Sequence, residues 1–145
     1  MICIYRGLPG SGKTTHAESQ DFDVIVETDH FFIDDQDHYN FDPNKLTEAH
    51  TWCFNRYLEA LAFGIEQIAV ANTNITRAEY TPYVMAARAE GRGDELLLRF
   101  MAAPCDVCYD RQVHDVPHGI VRSMAQRLEE PADYDPPQEE IITVR

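Results

Sequence analysis

Apolar residues along this 145-residue chain fall into two patterns: short continuous runs, and longer stretches where they recur every three or four positions. Continuous runs bounded by turn residues read as strands buried on both faces, and the periodic stretches as amphipathic helices packed over them. Residues 2–6 (ICIYR), 23–27 (DVIVE), 67–71 (QIAVA) and 95–101 (ELLLRFM) are therefore predicted strands. A short helix is expected over 13–20. A long one is expected over 43–63, with Asp42 as N-cap, Pro43 at the first position and Gly64 as the stop. Within it Trp52, Cys53, Tyr57 and Leu61 share one face and are assigned to the core. Thr76 and Glu79 have capping-box spacing for a third helix running to about Glu90, and 105–111 and 118–129 are predicted as two more. Strands alternating with helices define an α/β fold: a parallel β-sheet flanked by helices on both faces.

The pattern stops after residue 129. Residues 130–145 carry three prolines and a cluster of acids, so they are read as an acidic, Pro-rich C-terminal extension on a domain spanning 1–129. Whether the terminal IITVR adds an edge strand is left open by its sequence. With 44% hydrophobic residues the chain has the apolar content of one packed domain. No run of about eighteen apolar residues occurs, and MICIYRGLPG lacks the basic region and long apolar core of a secretion signal, so no membrane association and a cytoplasmic location are expected. In that setting the four cysteines are expected to be thiols. The C-x-x-C of Cys105 and Cys108 has no second ligand pair at zinc-site spacing, which favours helix packing.

Charge narrows the partner classes. The formal net charge is −13, and nine acids lie between Glu18 and Asp42 with no Lys or Arg from Thr14 to Asn44. A protein that tracks a long nucleic acid neutralises many phosphates with a basic stripe, and this chain has none. Any nucleic acid is contacted locally.

The chemistry begins at the end of the first predicted strand. Gly7-Leu-Pro-Gly-Ser-Gly12-Lys13-Thr14 fits G-x-x-x-x-G-K-[ST] and leads into a helix, the context that motif requires. Gly10 and Gly12 let successive backbone N–H groups of Gly10, Ser11, Gly12, Lys13, Thr14 and Thr15 face one anionic centre at a helix N-terminus. Lys13 then reaches the β- and γ-phosphates of a nucleoside triphosphate, and the Thr14 hydroxyl is placed to ligate Mg²⁺. ATP and Mg²⁺ are the expected cofactors. The base-reading N-K-x-D of G proteins is absent, and the strand IAVANTN ends in Asn72 rather than in the paired acids of a motor ATPase. A kinase needs a carboxylate that orients and deprotonates the acceptor hydroxyl. Asp29 follows a strand at its carboxyl end, where parallel sheets bind ligands, and would face the motif if that strand lay beside the first. The alternative is that Asp29 caps the following turn.

Taken together, RGLPGSGKTT, the T-D-x-F of ETDHFF, YNFDPNKLTEAH, the T-N of ANTNIT and DRQVHDVPHGIVRSMAQRLE give the chain a resemblance to the P-loop polynucleotide kinase-like proteins. These include phage polynucleotide 5′-kinases and the ATP-binding domains of the NEDD4-binding-protein-2 type, and the resemblance covers residue 2 to about 129. It implies a P-loop NTPase fold with a small helical lid, Asp29 as general base, and Arg111 on the lid helix as the arginine that meets the transferring phosphoryl group. It also implies that Asn72, Thr73 and Asn74, with Arg77 close behind, line an acceptor pocket. Phe31 and Phe32 stand where the phage enzymes carry an arginine that grips the acceptor strand. That exchange makes Phe31, Phe32 and Tyr39 candidate contacts to an extruded base. Asn72 replaces the aspartate of the phage enzymes' D-T-N, and His114 and His118 flank Pro117 where a more basic lid is typical; both histidines are read as surface residues. The expected activity is transfer of the γ-phosphoryl group of ATP to a hydroxyl of a nucleic acid or nucleotide, either a 5′-OH end or the hydroxymethyl group of a modified pyrimidine in phage DNA. The competing expectation is a non-catalytic ATP-binding module whose acidic loop docks a protein.

Overall fold

The computed structural model describes residues 1–112 and 114–142. Its elements are β1 (Ile2–Arg6), α1 (Lys13–Ser19), β2 (Val24–Val26), α2 (Leu46–Ala62), β3 (Ile68–Val70), α3 (Arg77–Ala89), β4 (Leu96–Ala102), α4 (Cys105–Arg111), α5 (His118–Arg127) and β5 (Gln138–Ile142). The strands form one parallel sheet in the order β2-β3-β1-β4-β5, with Ile2 opposite both Ile68 and Leu96. Each apolar run became a buried strand because both faces are covered. Ile2, Ile4, Val70 and Leu98 face Tyr57, Leu61, Tyr80 and Val84 of α2 and α3, while Cys3, Tyr5 and Ala69 face Ala17 of α1. Cys53, Tyr57 and Leu61 are core and Trp52 packs against them at the edge. Cys108 packs with Leu8, Ile75 and Val121, and all four cysteines are unbridged.

Local chemistry set the helix boundaries. Thr76 and Glu79 form a reciprocal capping box on α3. Asp42 accepts from the Asn44 N–H, but Pro43–Lys45 form a separate 3₁₀ turn, so α2 begins three residues later than predicted. Thr28–Phe32 form another 3₁₀ turn.

Two expectations are corrected. The strand that precedes Asp29, whose place beside β1 is the condition for Asp29 to face the motif, does not lie beside β1, because β3 intervenes. The segment read as a solvated extension from 130 onward is built into the fold: β5 extends the sheet beside β4, so a boundary at 129 cuts through it. Its anchors are polar, which is why an apolar pattern misses them. Arg6, 1% exposed, donates to Gln138 Oε1 and to the Glu129, Asn74 and Ile75 carbonyls, and its guanidinium lies over the Tyr80 ring. Asp135 accepts from Tyr80 Oη at 2.7 Å and Arg77 Nε at 3.0 Å, and Glu139 pairs with Arg99. Ile141 and Ile142 of the terminal IITVR lie in β5; the rest falls outside the described residues.

Candidate active site

The carboxyl ends of β1, β2 and β3 open into one cavity of about 1590 Å³. Pro9 to Gly12 of the loop after β1 line it. Gly10 and Gly12 adopt positive φ of 83° and 97°, the left-handed region that turns the chain so tightly. A Cβ on Gly10 would lie 2.0 Å from the Cys108 carbonyl, so the lid helix α4 rests directly on the loop. Gly10, Ser11, Gly12, Thr14 and Thr15 all line the cavity.

Lys13 is 8% exposed, and its Nζ donates back to the Gly7 and Leu8 carbonyls at 2.9 and 2.8 Å. Burial pushes its pKa down to about 8, against the nearby Glu27, Cys108 and Asp29. Thr14 Oγ1 donates to Glu27 Oε1 at 2.9 Å. Glu27 directly follows β2 and is 8% exposed; its Oε2 is buried without a well-formed hydrogen bond, 3.2 Å from His30 Nε2. Burial works to raise this carboxyl, but the His30 and Thr14 contacts and the Lys13 charge outweigh it and hold the group below its ordinary value. A hydroxyl beside an anionic carboxylate is the kind of hard oxygen donor set that Mg²⁺ takes alongside substrate phosphates. Among the described residues no cluster of three or more His, Cys, Asp or Glu could hold a metal by itself.

Asp29, in the 3₁₀ turn after β2, also lines the cavity. Tyr39 Oη donates to its Oδ1 at 3.2 Å, and His114 Nε2 lies 3.5 Å from Oδ2. The His114 ring stacks on Tyr39 with centroids 4.0 Å apart. Burial, then the Asp29 charge, raises the Tyr39 hydroxyl, so it stays a donor. Asn72 Oδ1 accepts the Thr28 N–H at 2.8 Å and thereby braces the turn that carries Asp29.

The sequence-predicted residues divide. Lys13, Thr14, Asp29, Asn72 and Arg111 share the cavity. Asn74 lines it too, but is 2% exposed and donates to the Tyr5 carbonyl, bracing the loop after β3 against β1. Phe31 and Phe32 do not line it: Phe32 is 5% exposed, and the pair packs edge-on with Trp52, Tyr39 and Phe41. The 3₁₀ turn swings both rings under α2, and Tyr39 and Phe41 present the aromatic surface in their place. Arg77 points away, to Asp135 and the Tyr134 ring. Sequence reasoning missed the roles of Glu27 and His114. For Glu27 a signal existed, an acid ending a buried parallel strand; for His114, contact across more than eighty residues had none.

No protein-family profile matches the chain. Human NEDD4-binding protein 2 is 43% identical over 89 residues, 58% of this chain, which spans 5% of that protein's length. Among solved structures, a sugar kinase from Janibacter sp. superposes with a TM-score of 0.63 at 14% identity, covering 97% of this chain and 84% of that one. Kti12 from Chaetomium thermophilum, solved in complex with ADP-AlF3, gives 0.60 at 13% identity, covering 98% and 89%. The fold is that of the P-loop kinases. No helix among the described residues is long and apolar enough to cross a membrane.

Proposed function

We propose that this chain is an ATP-dependent phosphotransferase that moves the γ-phosphoryl group onto a hydroxyl of a nucleic-acid or nucleotide acceptor. The observation that carries the reading is that Lys13, the Thr14–Glu27 pair and Asp29 open into one cavity. Phosphoryl transfer asks a protein for positioning and charge neutralisation, which this set supplies. Lys13 exchanges the Gly7 and Leu8 carbonyls for phosphate oxygens, and Arg111 approaches from the lid. Thr14 and Glu27 would hold Mg²⁺, which when bound neutralises charge on the β- and γ-oxygens. Asp29, steadied by Tyr39, accepts the acceptor hydroxyl's proton as that oxygen bonds to the γ-phosphorus and the bond to the bridging β–γ oxygen breaks, releasing ADP. The fold likeness to Kti12, solved in complex with ADP-AlF3, supports a nucleotide site.

The test offers labelled ATP to 5′-OH DNA and RNA, hydroxymethyl-pyrimidine DNA and nucleosides. Asp29→Asn is expected to lose about 10²- to 10⁴-fold in rate while still binding ATP. If ATP protects the protein from heat but no acceptor is labelled, the kinase reading fails and a nucleotide-ordered binding module replaces it.

A further inference from the structure

The two ends of the cavity differ in chemistry. Among the described lining residues the Lys and Arg are Lys13 and Arg111, one in the phosphate loop and the other ending α4, which rests on that loop. Another wall, built on α2, α3 and the hairpin after β2 that the Ile33–Tyr39 bridge closes, presents His50, Phe54, Tyr83, Tyr39 and Phe41 to the cavity that Asp29 lines. Its further acid, Glu79, is committed to capping α3. A phosphodiester about 6 Å from the Asp29 carboxylate, at an effective dielectric of about 20, is disfavoured by roughly 100-fold before the offset from Lys13, whose charge Asp29 also feels, and none of the lining residues from α2, α3 and the hairpin is a lysine or arginine.

The same wall offers flat apolar faces. Tyr39 and Phe41 lie parallel to within 11° at 6.3 Å, Phe41 is 49% exposed, and Tyr39 carries the stacked His114 ring on its face. Aromatic stacking rewards a planar ring of any sequence and asks for no charge. Building on the kinase reading above, we propose that the acceptor hydroxyl belongs to a neutral nucleoside, held by its ring against Phe41 beside the Tyr39–His114 stack, with no phosphate beside the reacting oxygen. A free nucleoside and the hydroxymethyl group of an extruded base in a nucleic acid share this chemistry. A phosphate-flanked 5′ end does not.

The test uses the wild-type chain, labelled ATP and three acceptors at equal concentration. These are 5-hydroxymethyl-2′-deoxyuridine, a 5′-phosphorylated single strand with one internal hydroxymethyl pyrimidine, and an unmodified 5′-OH strand. One or both of the first two should be labelled at least about tenfold faster than the third, and which one distinguishes the source. Nucleoside labelling should change less than about threefold between 50 and 200 mM salt, where a multi-phosphate contact loses orders of magnitude. Phe41→Ala should raise the acceptor KM by about 5- to 100-fold, with the ATP KM unmoved and Phe41→Tyr restoring the wild-type value. Faster labelling of the 5′-OH strand, or an unchanged acceptor KM in Phe41→Ala, overturns the inference while leaving a kinase. Labelling confined to the free nucleoside supports it and removes the nucleic-acid acceptor. No label in any arm takes down both readings.

Discussion

Lys13 gives the sharpest prediction. Its ammonium is buried and its pKa stands at about 8 against an ordinary 10.5, so the charged form is disfavoured by about 3 kcal/mol. At pH 9 roughly 90% of the empty protein should carry a neutral Lys13, and at pH 7 about 10%. A triphosphate beside Nζ opposes the burial and draws the value back up, so binding must take up a proton. The uptake should be about 0.1 proton at pH 7 and about 0.9 at pH 9, above the range near pH 6 where the phosphate itself titrates. Titration calorimetry with a non-hydrolysable ATP analogue, in buffers of different ionisation enthalpy, reads this number from the slope of enthalpy against buffer. Lys13→Arg keeps its charge at all these pH values, so its uptake should stay near zero. Uptake that does not rise from pH 7 to 9, or that rises equally in Lys13→Arg, refutes the argument.

The same shift has a sign for stability. The folded value lies below the unfolded one, so between about 8 and 10.5 the unfolded chain binds more protons. Lys13 therefore opposes folding fully below about pH 8, and its penalty fades as pH rises toward 10.5.

Further predictions rest on other contacts. Gly10→Ala and Gly64→Ala both place a side chain at positive φ, at about 1–2 kcal/mol each, but a Cβ at Gly64 meets nothing within 4 Å whereas one at Gly10 meets the Cys108 carbonyl. Gly10→Ala should therefore lose more Tm and speed amide exchange in α4, and equal losses with unchanged exchange would contradict that packing. Arg6→Met strands several carbonyls and should cost about 3 kcal/mol in chemical denaturation; a loss under about 1 kcal/mol would show that Arg6 does not anchor the C-terminal segment. Glu27→Gln should raise the Mg²⁺ concentration needed for nucleotide binding and leave Mg²⁺-free binding nearly unchanged, and an unaltered Mg²⁺ dependence would remove Glu27 from the metal site.

Much of the fold was legible because a parallel sheet covered on both faces forces continuous apolar runs, and β1 to β4 have them. The phosphate loop was legible because its glycines and lysine are required at fixed offsets by backbone geometry. The last strand was not. Gln138–Ile142 has few apolar residues because it sits at a sheet edge, and the arginines that hold its neighbourhood come from β1 and β4, far away in sequence. Arg6 looked like a strand end and is instead among the most buried side chains in the molecule.

The acid-rich stretch from Glu27 to Asp42 shows why the candidate site was only half readable. Its acids are alike in composition and differ in what they face. Asp34 receives the Gln36 and His38 N–H groups and closes a hairpin tip, and Asp42 caps a turn. Glu27 faces Thr14, while Asp29 is held between Tyr39 and the lid residue His114. The first two roles follow from neighbours within four residues, so local turn chemistry finds them. The roles of Glu27 and His114 depend on contacts that β2, β3 and the lid create only after the sheet assembles. The same reasoning moves the aromatic surface: Phe31 and Phe32 are nearer Asp29 in sequence, yet the 3₁₀ turn buries Phe32, packs Phe31 against Trp52 and leaves Tyr39 and Phe41 facing the cavity. Proximity along the chain located this wall of the cavity, and the local helical turn decided which rings it shows.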